Sequence, residues 1–433
     1  MKKFAIVLII ALCTVGALFA TDQEKPEDFT PPTQDKYDNV LSSTFTKTSA
    51  RISAMGGAGL AVFNNQDSLY INPASLGAKG LVFNTPNVAV TLYNIKDAYV
   101  DTGLLENVIN DPNSITDMDY LTGELLPGVI GVLGASGNNK LATVDAGVGF
   151  KAGRFAFAVD SQVNLNTYVP FNGGTADLQV IPQVDVAATM GIGIRFMRDK
   201  AFNIDVGVSA ALQMRAFMQS FNAMDALDSF NSADENFDPA SLFITKPIAI
   251  GWAVPLTVGL NINMPFGFTI ANVVSNIQLV NGGYNYVFQD SYENFIDDPM
   301  GVFENVFTGP TSFVAETPFC YSVGFGWSPD LGGWEWLIDP TVAIDVVDVV
   351  GLFENLSTNS FLSRLKVGAE LQFFKFLELR GGLNSGYVSL GAGINLFNVI
   401  HLEASYYWNE FGDVLGGKDV DALTIRFNIL WER

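Results

Sequence analysis

The stretch LTIRFNILW, residues 423–431 near the C-terminus, decides the fold class. Its odd-numbered positions are all apolar, whereas its even-numbered positions carry Thr424, Arg426, Asn428 and Leu430. This period of two is typical of a β-strand with one apolar and one mostly polar face. Upstream stretches share the alternation, at residues 364–373, 377–380, 388–396 and 400–408.

The polar face of these strands carries charged or amide side chains, whereas the opposite face carries none. Lipid outside and a wet lumen inside would produce this pattern. A soluble sandwich would also alternate, but its polar face is usually richer in Lys and Glu. After residue 20 no apolar run is long enough for a transmembrane helix. The sequence therefore predicts an all-β fold, a transmembrane antiparallel β-barrel.

We predict about 14 strands, an even number as in single-chain bacterial barrels. They are placed near residues 80–94, 141–151, 153–166, 181–197, 202–218, 246–263, 265–278, 318–328, 335–348, 362–374, 376–384, 387–396, 398–408 and 421–431. Tight turns are predicted at residues 151–153, 374–376 and 397–398. Residues 129–133 form either a further short strand or a packed part of a loop.

Three segments are predicted as long extracellular loops because they are acidic and rich in aromatic residues; they lie near residues 95–140, 219–245 and 279–317. Their apolar content favours folded loops, with short helices such as one at 221–230.

The N-terminus predicts a secretory signal peptide. Lys2 and Lys3 precede the uncharged residues 4–20, and cleavage is expected after Ala20. The alternatives are an uncleaved anchor helix, because the apolar run just reaches the lower spanning limit, and a lipid anchor at Cys13. Cleavage leaves Cys320 as the only cysteine, which excludes an internal disulfide and a Cys-based metal cluster.

The composition also argues against several functions. A net charge of −22 disfavours nucleic acid as a partner, because its phosphates would be repelled. His401 is the only histidine, so a His-dependent triad or an HExxH site can be proposed only around it. We expect His401 to be a lumen residue rather than a catalytic base. The sequence predicts no enzyme activity, no metal site and no cofactor.

One segment, residues 46–80, does not alternate. Gly56, Gly57 and Gly59 allow an irregular, tightly packed backbone, and Asn72-Pro73 forces a turn ahead of Ala74. A phosphate-binding loop at residues 56–59 is disfavoured because the G-K-[ST] ending is missing.

The order AMGGAG (54–59), NNQD (64–67) and YINPASL (70–76) resembles the N-terminal hatch of the FadL-type long-chain fatty-acid transporters. It is also similar to relatives of unassigned role in spirochaetes and Bacteroidetes, including the PorV-like barrels, and the chain resembles a spirochaetal-type member. In that family a signal peptide precedes a Gly-rich plug ending in Asn-Pro-Ala, and a 14-stranded barrel follows. The resemblance implies four parts: a signal peptide at 1–20, a periplasmic lead segment at 21–45, a hatch at 46–79 and the barrel at 80–433.

The resemblance implies a channel in the cell outer membrane for passive uptake of hydrophobic molecules such as long-chain fatty acids. Its expected partners are these ligands, outer-membrane lipids and the outer-membrane insertion machinery, for which Trp431 supplies a terminal aromatic signal. The implied hatch and gating residues are Gly56, Gly57, Gly59, Asn72, Pro73 and Ala74.

Cations on polar strand faces are candidates for holding a ligand carboxylate: Arg195, Arg215, Arg364, Lys366, Arg380 and Arg426. The simpler interpretation is that they pair with lumen acids such as Glu370, Glu378 and Glu403 and stiffen the barrel. Two other functions stay open. One is a PorV-like partner in protein secretion or surface attachment, and the other is a surface adhesin or structural barrel.

Overall fold

The computed structural model describes residues 43–62, 67–78, 80–101, 110, 126–133, 137–170, 177–197, 202–218, 220–225, 248–289, 299–309, 311–397, 399–411 and 415–432. The predicted signal peptide and most of the lead segment lie outside these residues.

Fourteen antiparallel strands form one closed sheet. Eleven are continuous: β1 Gly80–Tyr93, β2 Gly137–Gly153, β3 Phe155–Val169, β4 Gln179–Phe196, β5 Asn203–Met218, β9 Ile338–Val346, β10 Leu365–Phe373, β11 Leu377–Asn384, β12 Tyr387–Leu396, β13 Ile400–Glu410 and β14 Asp419–Glu432. Three are interrupted: β6 Ile248–Ala253 and Pro255–Asn263, β7 Phe268–Gln278 and Gly283–Gln289, and β8 Phe313–Glu316 and Cys320–Trp327. Each strand pairs with its neighbours in sequence, and β1 pairs with both β2 and β14, which closes the barrel. The prediction of 14 strands is confirmed.

The alternation of the strands sorts their side chains into two environments. On β14, Arg426 is 1% exposed and faces inward, whereas its neighbour Ile425 is 50% exposed and faces outward. Leu390 on β12 and Met190 on β4 are exposed outward in the same way. An apolar belt of this extent is stable in lipid, and closure leaves no unpaired strand edge. The architecture is therefore that of an outer-membrane β-barrel. No helix in the described part of the chain has the length and apolar character needed to cross a membrane.

The tight turn at 374–376 was predicted correctly, whereas the one predicted at 151–153 lies at Arg154, because residues 151–153 belong to β2. At the turn predicted for 397–398, Phe397 follows β12 and residue 398 lies outside the described residues. All three turns separate adjacent strands at one end of the barrel. We call this the short-turn end and the opposite one the long-loop end. At 374–376 the turn places both Phe374 and Lys375 at positive φ.

The predicted loop at 279–317 is partly wrong, because residues 283–289 and 313–316 extend β7 and β8. Between them, helix Pro299–Thr308 packs on the outside of the wall. Val302 and Val306 contact a cluster that includes Ile248 and Ile250, all of which are buried.

Two smaller predictions in the loops can also be compared with the structure. Residues 129–133 belong to a helix, Leu126–Leu133, so the strand alternative is wrong, whereas the alternative of a packed loop agrees with the burial of Ile130 and Leu133. In the predicted helix at 221–230, Phe221–Asn222 instead pair with β4, and only residues 223–225 are described as helical.

Candidate functional site: the lumen and its N-terminal segment

Residues 43–62 and 67–78, here called the lumen segment, lie inside the barrel. Arg51 Nε donates to Glu370 Oε2 on β10 at 2.9 Å, and Asp67 pairs with Arg426 on β14 at 2.8 Å. Arg215 on β5 donates to the carbonyl oxygen of Ser43. Contacts with strands on different sides of a closed barrel require the segment to occupy the lumen. Residues 43–45, which the sequence analysis assigned to the periplasmic lead segment, are therefore within the barrel.

The first half of the lumen segment is a short helix followed by a reversal. Ala50–Ala54 form a helix whose N-cap is Ser49. Gly56 and Gly57 then adopt φ values of 65° and 82°, a left-handed backbone that favours glycine. The reversal turns the chain back, and Gly57 N donates to the carbonyl oxygen of Ile52 at 2.8 Å.

Gly59 lies where the segment meets the carboxylate of Asp345 on β9. The backbone N–H groups of Gly59 and Leu60 both donate to Asp345 Oδ2, at 2.7 and 2.9 Å. A carboxylate that accepts two backbone hydrogen bonds holds this loop in one position.

The Asn72-Pro73-Ala74 turn fastens the second half of the segment. The Asn72 amide donates to the Leu60 carbonyl oxygen and to Asn261 Oδ1 on β6, each at 2.7 Å, and its oxygen accepts from Ala74 N at 3.0 Å. Pro73 then begins a 3₁₀ turn. The Asn72 side chain is 1% exposed and anchors the segment both to itself and to the wall.

Inward-facing glycines of the wall leave space for the backbone of the lumen segment, which a Cβ atom at these positions would occupy. A Cβ atom at Gly207 on β5 would lie 2.1 Å from the Pro73 carbonyl oxygen. At Gly368 on β10 it would lie 2.3 Å from the Met55 carbonyl oxygen. Similar clashes with the segment would occur at Gly193, Gly259, Gly324, Gly326, Gly382 and Gly391. These glycines lie on strands around the barrel, so the wall itself specifies where the segment sits. Sequence reasoning missed them, although each occupies the inward register of its strand.

The five candidate arginines all have carboxylate partners. Arg426 binds Asp67, Arg215 binds Asp185, Arg195 binds Asp205 and Arg364 binds Asp348. Arg380 lies among Glu370, Glu378 and Glu403. Lys366 differs, because its described hydrogen-bond partners, Asn384 and Ser385, are uncharged. Whether any of the six binds a ligand carboxylate stays a prediction.

Burial shapes the acid–base properties of the lumen segment. Burial opposes ionisation of Asp67, but the Arg426 guanidinium outweighs it, so the pKa of the Asp67 carboxyl lies below its usual value. Burial and the nearby Asp160 raise the pKa of Tyr70 well above its usual value. Tyr70 and Lys47 both donate to Asp160, which ties this part of the segment to β3.

A cavity of about 420 Å³ opens between the start of the lumen segment and strands β1 to β5. Six carboxamides line it: Asn138, Asn139, Gln162, Asn164, Asn166 and Gln183. Lys140 also lines it and donates to Asn164 Oδ1 at 3.2 Å. Sequence reasoning placed Lys140 in a loop and missed it.

Beside this cavity the inner wall is aromatic. Phe217, Tyr284 and Tyr286 are buried together on inward positions of β5 and β7, and Phe313 of β8 stacks on Tyr286 with ring centroids 4.7 Å apart. The guanidinium carbon of Arg215 lies 4.4 Å from the Tyr284 ring centroid. Arg215 therefore lies between this aromatic cluster and the cavity lined by the carboxamides. An aromatic cluster on inward positions is unusual, because the interior of a membrane barrel is generally polar.

His401 is an inward residue of β13, as predicted from its strand position, and is 8% exposed. Among the described residues no group of three or more His, Cys, Asp or Glu side chains is arranged to hold a metal ion.

No family model matches the sequence, and no curated protein matches it either. Solved structures that resemble the fold include the Pseudomonas putida toluene transporter TodX, at 8% identity and a TM-score of 0.44, covering 91% of this chain and 99% of that one. The Ralstonia pickettii toluene transporter TbuX has 11% identity and a TM-score of 0.41, with the same coverage. A Pseudomonas aeruginosa FadL homologue has 10% identity and a TM-score of 0.38, covering 89% of this chain and 98% of that chain.

These similarities extend over nearly the whole length of each barrel. At such low identities and TM-scores they give no basis for assigning a ligand or a mechanism to this chain. The strand register and the lumen contacts identify the protein on their own: a closed 14-stranded transmembrane barrel whose lumen holds its own N-terminal segment.

Proposed function

We propose that the protein is an outer-membrane channel for passive uptake of hydrophobic molecules such as long-chain fatty acids. The observation that carries the proposal is the aromatic cluster of Phe217, Tyr284, Tyr286 and Phe313, which is buried on inward positions of the wall. Aromatic side chains bind apolar chains through large contact areas. The N-terminal resemblance to the FadL-type transporters motivates the same ligand class.

A binding assay on the refolded barrel tests this function. We expect a fluorescent long-chain fatty acid to bind saturably, and Phe313→Ser to weaken binding by about tenfold because the stacked pair with Tyr286 is lost. Phe325→Ser is the matched control, since Phe325 faces outward and is 41% exposed. Heat-modifiable gel mobility reports whether each variant folds. Absence of saturable binding to the folded wild-type barrel would refute the function.

The lumen segment is the proposed gate. It lies in the lumen between the aromatic cluster and the short-turn end, so a ligand that passes through the lumen requires the segment to shift. Gly56 and Gly57 provide the backbone freedom for a hinge, and Asn72, Pro73 and Ala74 form the anchor at the other end.

A reversible crosslink tests the gate separately from uptake. Lys47→Cys and Asp160→Cys, combined with Cys320→Ser, place two thiols where an ion pair joins the segment to β3. Joining them with a reductant-cleavable bismaleimide should slow uptake into vesicles by about tenfold or more, and reductant should restore it. Each single-cysteine variant is the control. Equal uptake before and after cleavage would refute gating by the segment while leaving the uptake function intact.

Among the candidate cations, Lys366 is the one we propose for a ligand carboxylate, because its described partners are uncharged. The paired arginines are better suited to holding the lumen together. The secretion-partner and adhesin alternatives place function in the long loops, most of whose residues lie outside the described part of the chain.

A further inference from the structure

The cavity beside the lumen segment has a lining unsuited to a hydrocarbon chain. Its described lining residues include the six carboxamides together with Thr143 and the hydroxyl residues Ser43, Thr44, Thr46 and Thr48. No aliphatic side chain is among the described residues that line it. An apolar ligand could not form hydrogen bonds with these groups, and each buried polar group left unsatisfied costs about 1–3 kcal/mol.

The amides of the cavity are held in fixed orientations. Thr143 Oγ1 donates to Asn164 Oδ1 at 2.8 Å, and the Asn164 amide donates to Gln162 Oε1 at 2.9 Å. Asn166 donates to Gln183 Oε1, also at 2.9 Å. The side chains of Asn164, Asn166 and Gln183 are at most 4% exposed. The hydrogen-bonding groups of Asn166 and Gln183 that these bonds do not use are therefore positioned before any ligand arrives.

The cavity also has hydrogen-bonding capacity that its described partners do not use. The Lys140 ammonium has three donors, and Asn164 Oδ1 is its described acceptor. Asn138 Oδ1 is buried with no hydrogen-bond partner among the described residues. These two groups offer both donors and an acceptor to a ligand.

The charges around the cavity leave an excess of one carboxylate. Lys140 and Arg215 line it with Glu410, and Asp185 binds the Arg215 guanidinium. Asp145 lies behind Gln162, which donates to it at 2.7 Å. An anionic ligand would meet three carboxylates and two cations, so the surroundings give it no net attraction.

Two aromatic rings complete the lining. Tyr93 and Phe411 meet edge to face, with ring centroids 6.1 Å apart. Ring faces beside fixed amides and hydroxyls match the surface of a sugar, which has C–H groups on its faces and hydroxyls around its edge.

We propose that this cavity binds an uncharged, hydroxyl-rich group, either a free sugar or the glycosyl head of an amphiphile. The site goes beyond the proposed uptake of fatty acids, because its lining excludes an alkyl chain and does not favour a carboxylate. It adjoins the buried aromatic cluster at Arg215, so an amphiphile with its head in the cavity would direct its chain toward Tyr284 and Tyr286.

Equilibrium dialysis of the folded barrel in lipid nanodiscs tests the site, with methyl glucoside, decyl glucoside and decanoate as probes. Methyl glucoside should bind saturably, and Asn166→Leu should weaken it by about tenfold. Asn395→Leu, an inward amide of β12 outside the cavity lining, should leave the affinity unchanged. Much tighter binding of decyl glucoside would identify an amphiphile's head as the source, and equal binding would identify a free sugar.

Three results would overturn the proposal. They are no saturable binding of either glucoside, equal binding by Asn166→Leu, and preferential binding of decanoate that Lys140→Met abolishes. Failure of glucoside binding with intact fatty-acid uptake would remove the site and keep the proposed function. Loss of fatty-acid uptake with intact glucoside binding would remove the proposed function and keep the site.

Discussion

Replacing Asp67 with Asn should release the lumen segment while leaving the barrel wall folded. Arg426 donates two hydrogen bonds to Asp67, each at 2.8 Å, and the side chains are 1% and 4% exposed. Removing one partner of a buried pair costs about 3–5 kcal/mol, because the other charge stays buried. Glu403, 3.7 Å from the guanidinium, and Asn87 remain as partners, so we expect the lower end, about 3 kcal/mol. A cost of that size raises the displaced population roughly 150-fold.

Hydrogen–deuterium exchange measures this population directly. The segment makes no strand pairing with the wall, so amides in residues 50–78 that are protected only when it is seated should exchange roughly 150-fold faster. Amides in β12 to β14 should keep their protection. Arg364→Met is the control, since its partner Asp348 is 38% exposed and such a pair contributes about 1 kcal/mol or less. Unchanged exchange in residues 50–78 together with a lower melting temperature of the barrel would show that the pair stabilises the wall instead.

Three further predictions follow from the same contacts. The pKa of Asp67 in the folded protein is below its usual value of 3.8, so the contribution of Asp67 to seating is fully present above pH 3.8. This contribution is lost as the pH falls through the lower folded pKa. Amide protection of the lumen segment, measured from pH 7 downward, should therefore stay constant until the pH is below 3.8. Gly207→Val should prevent seating, because its Cβ would lie 2.1 Å from the Pro73 carbonyl oxygen. Gly381→Ala should not, because its Cβ would lie 3.7 Å from its nearest neighbour, and protease sensitivity of the segment distinguishes the two variants. Lys366→Met should weaken binding of a fatty acid by about tenfold and leave binding of the corresponding alcohol unchanged, as measured by competition with a fluorescent fatty acid.

The barrel was predictable because its wall obeys a local rule. Alternation along β14 follows from lipid on one side and a polar lumen on the other, and this holds strand by strand. The interruption of β7 was not predictable in the same way. Asn281 and Gly282 adopt positive φ values, and an Asn-Gly pair normally ends a strand. Here the chain resumes pairing at Gly283 because β6 continues alongside it, a reason that lies outside the local sequence.

Some partners of the lumen cations could be predicted from the sequence, and others could not. Arg380 lies directly across from Glu370, a register that the tight turn at 374–376 already fixes. Pairing between these two strands is therefore accessible from the sequence. Asp67 and Arg426 are 359 residues apart, and only the position of the lumen segment brings them together. Sequence reasoning could predict an inward cation at Arg426 but had no means of identifying its partner.

The wall glycines show that seating of the segment is built into the barrel as well as into the N-terminal motif. A glycine inside a strand costs about 0.5–1 kcal/mol relative to alanine, so glycines on inward positions require a compensating contact. At Gly207 and Gly368 that contact is the backbone of the segment itself. Steric fit restricts where the segment can sit, and the buried ion pairs at Asp67 and Arg51 add to the energy needed to leave that position. We expect the proposed gate to respond to whatever weakens those pairs, so that a ligand or a pH change acts through them rather than through the glycine contacts.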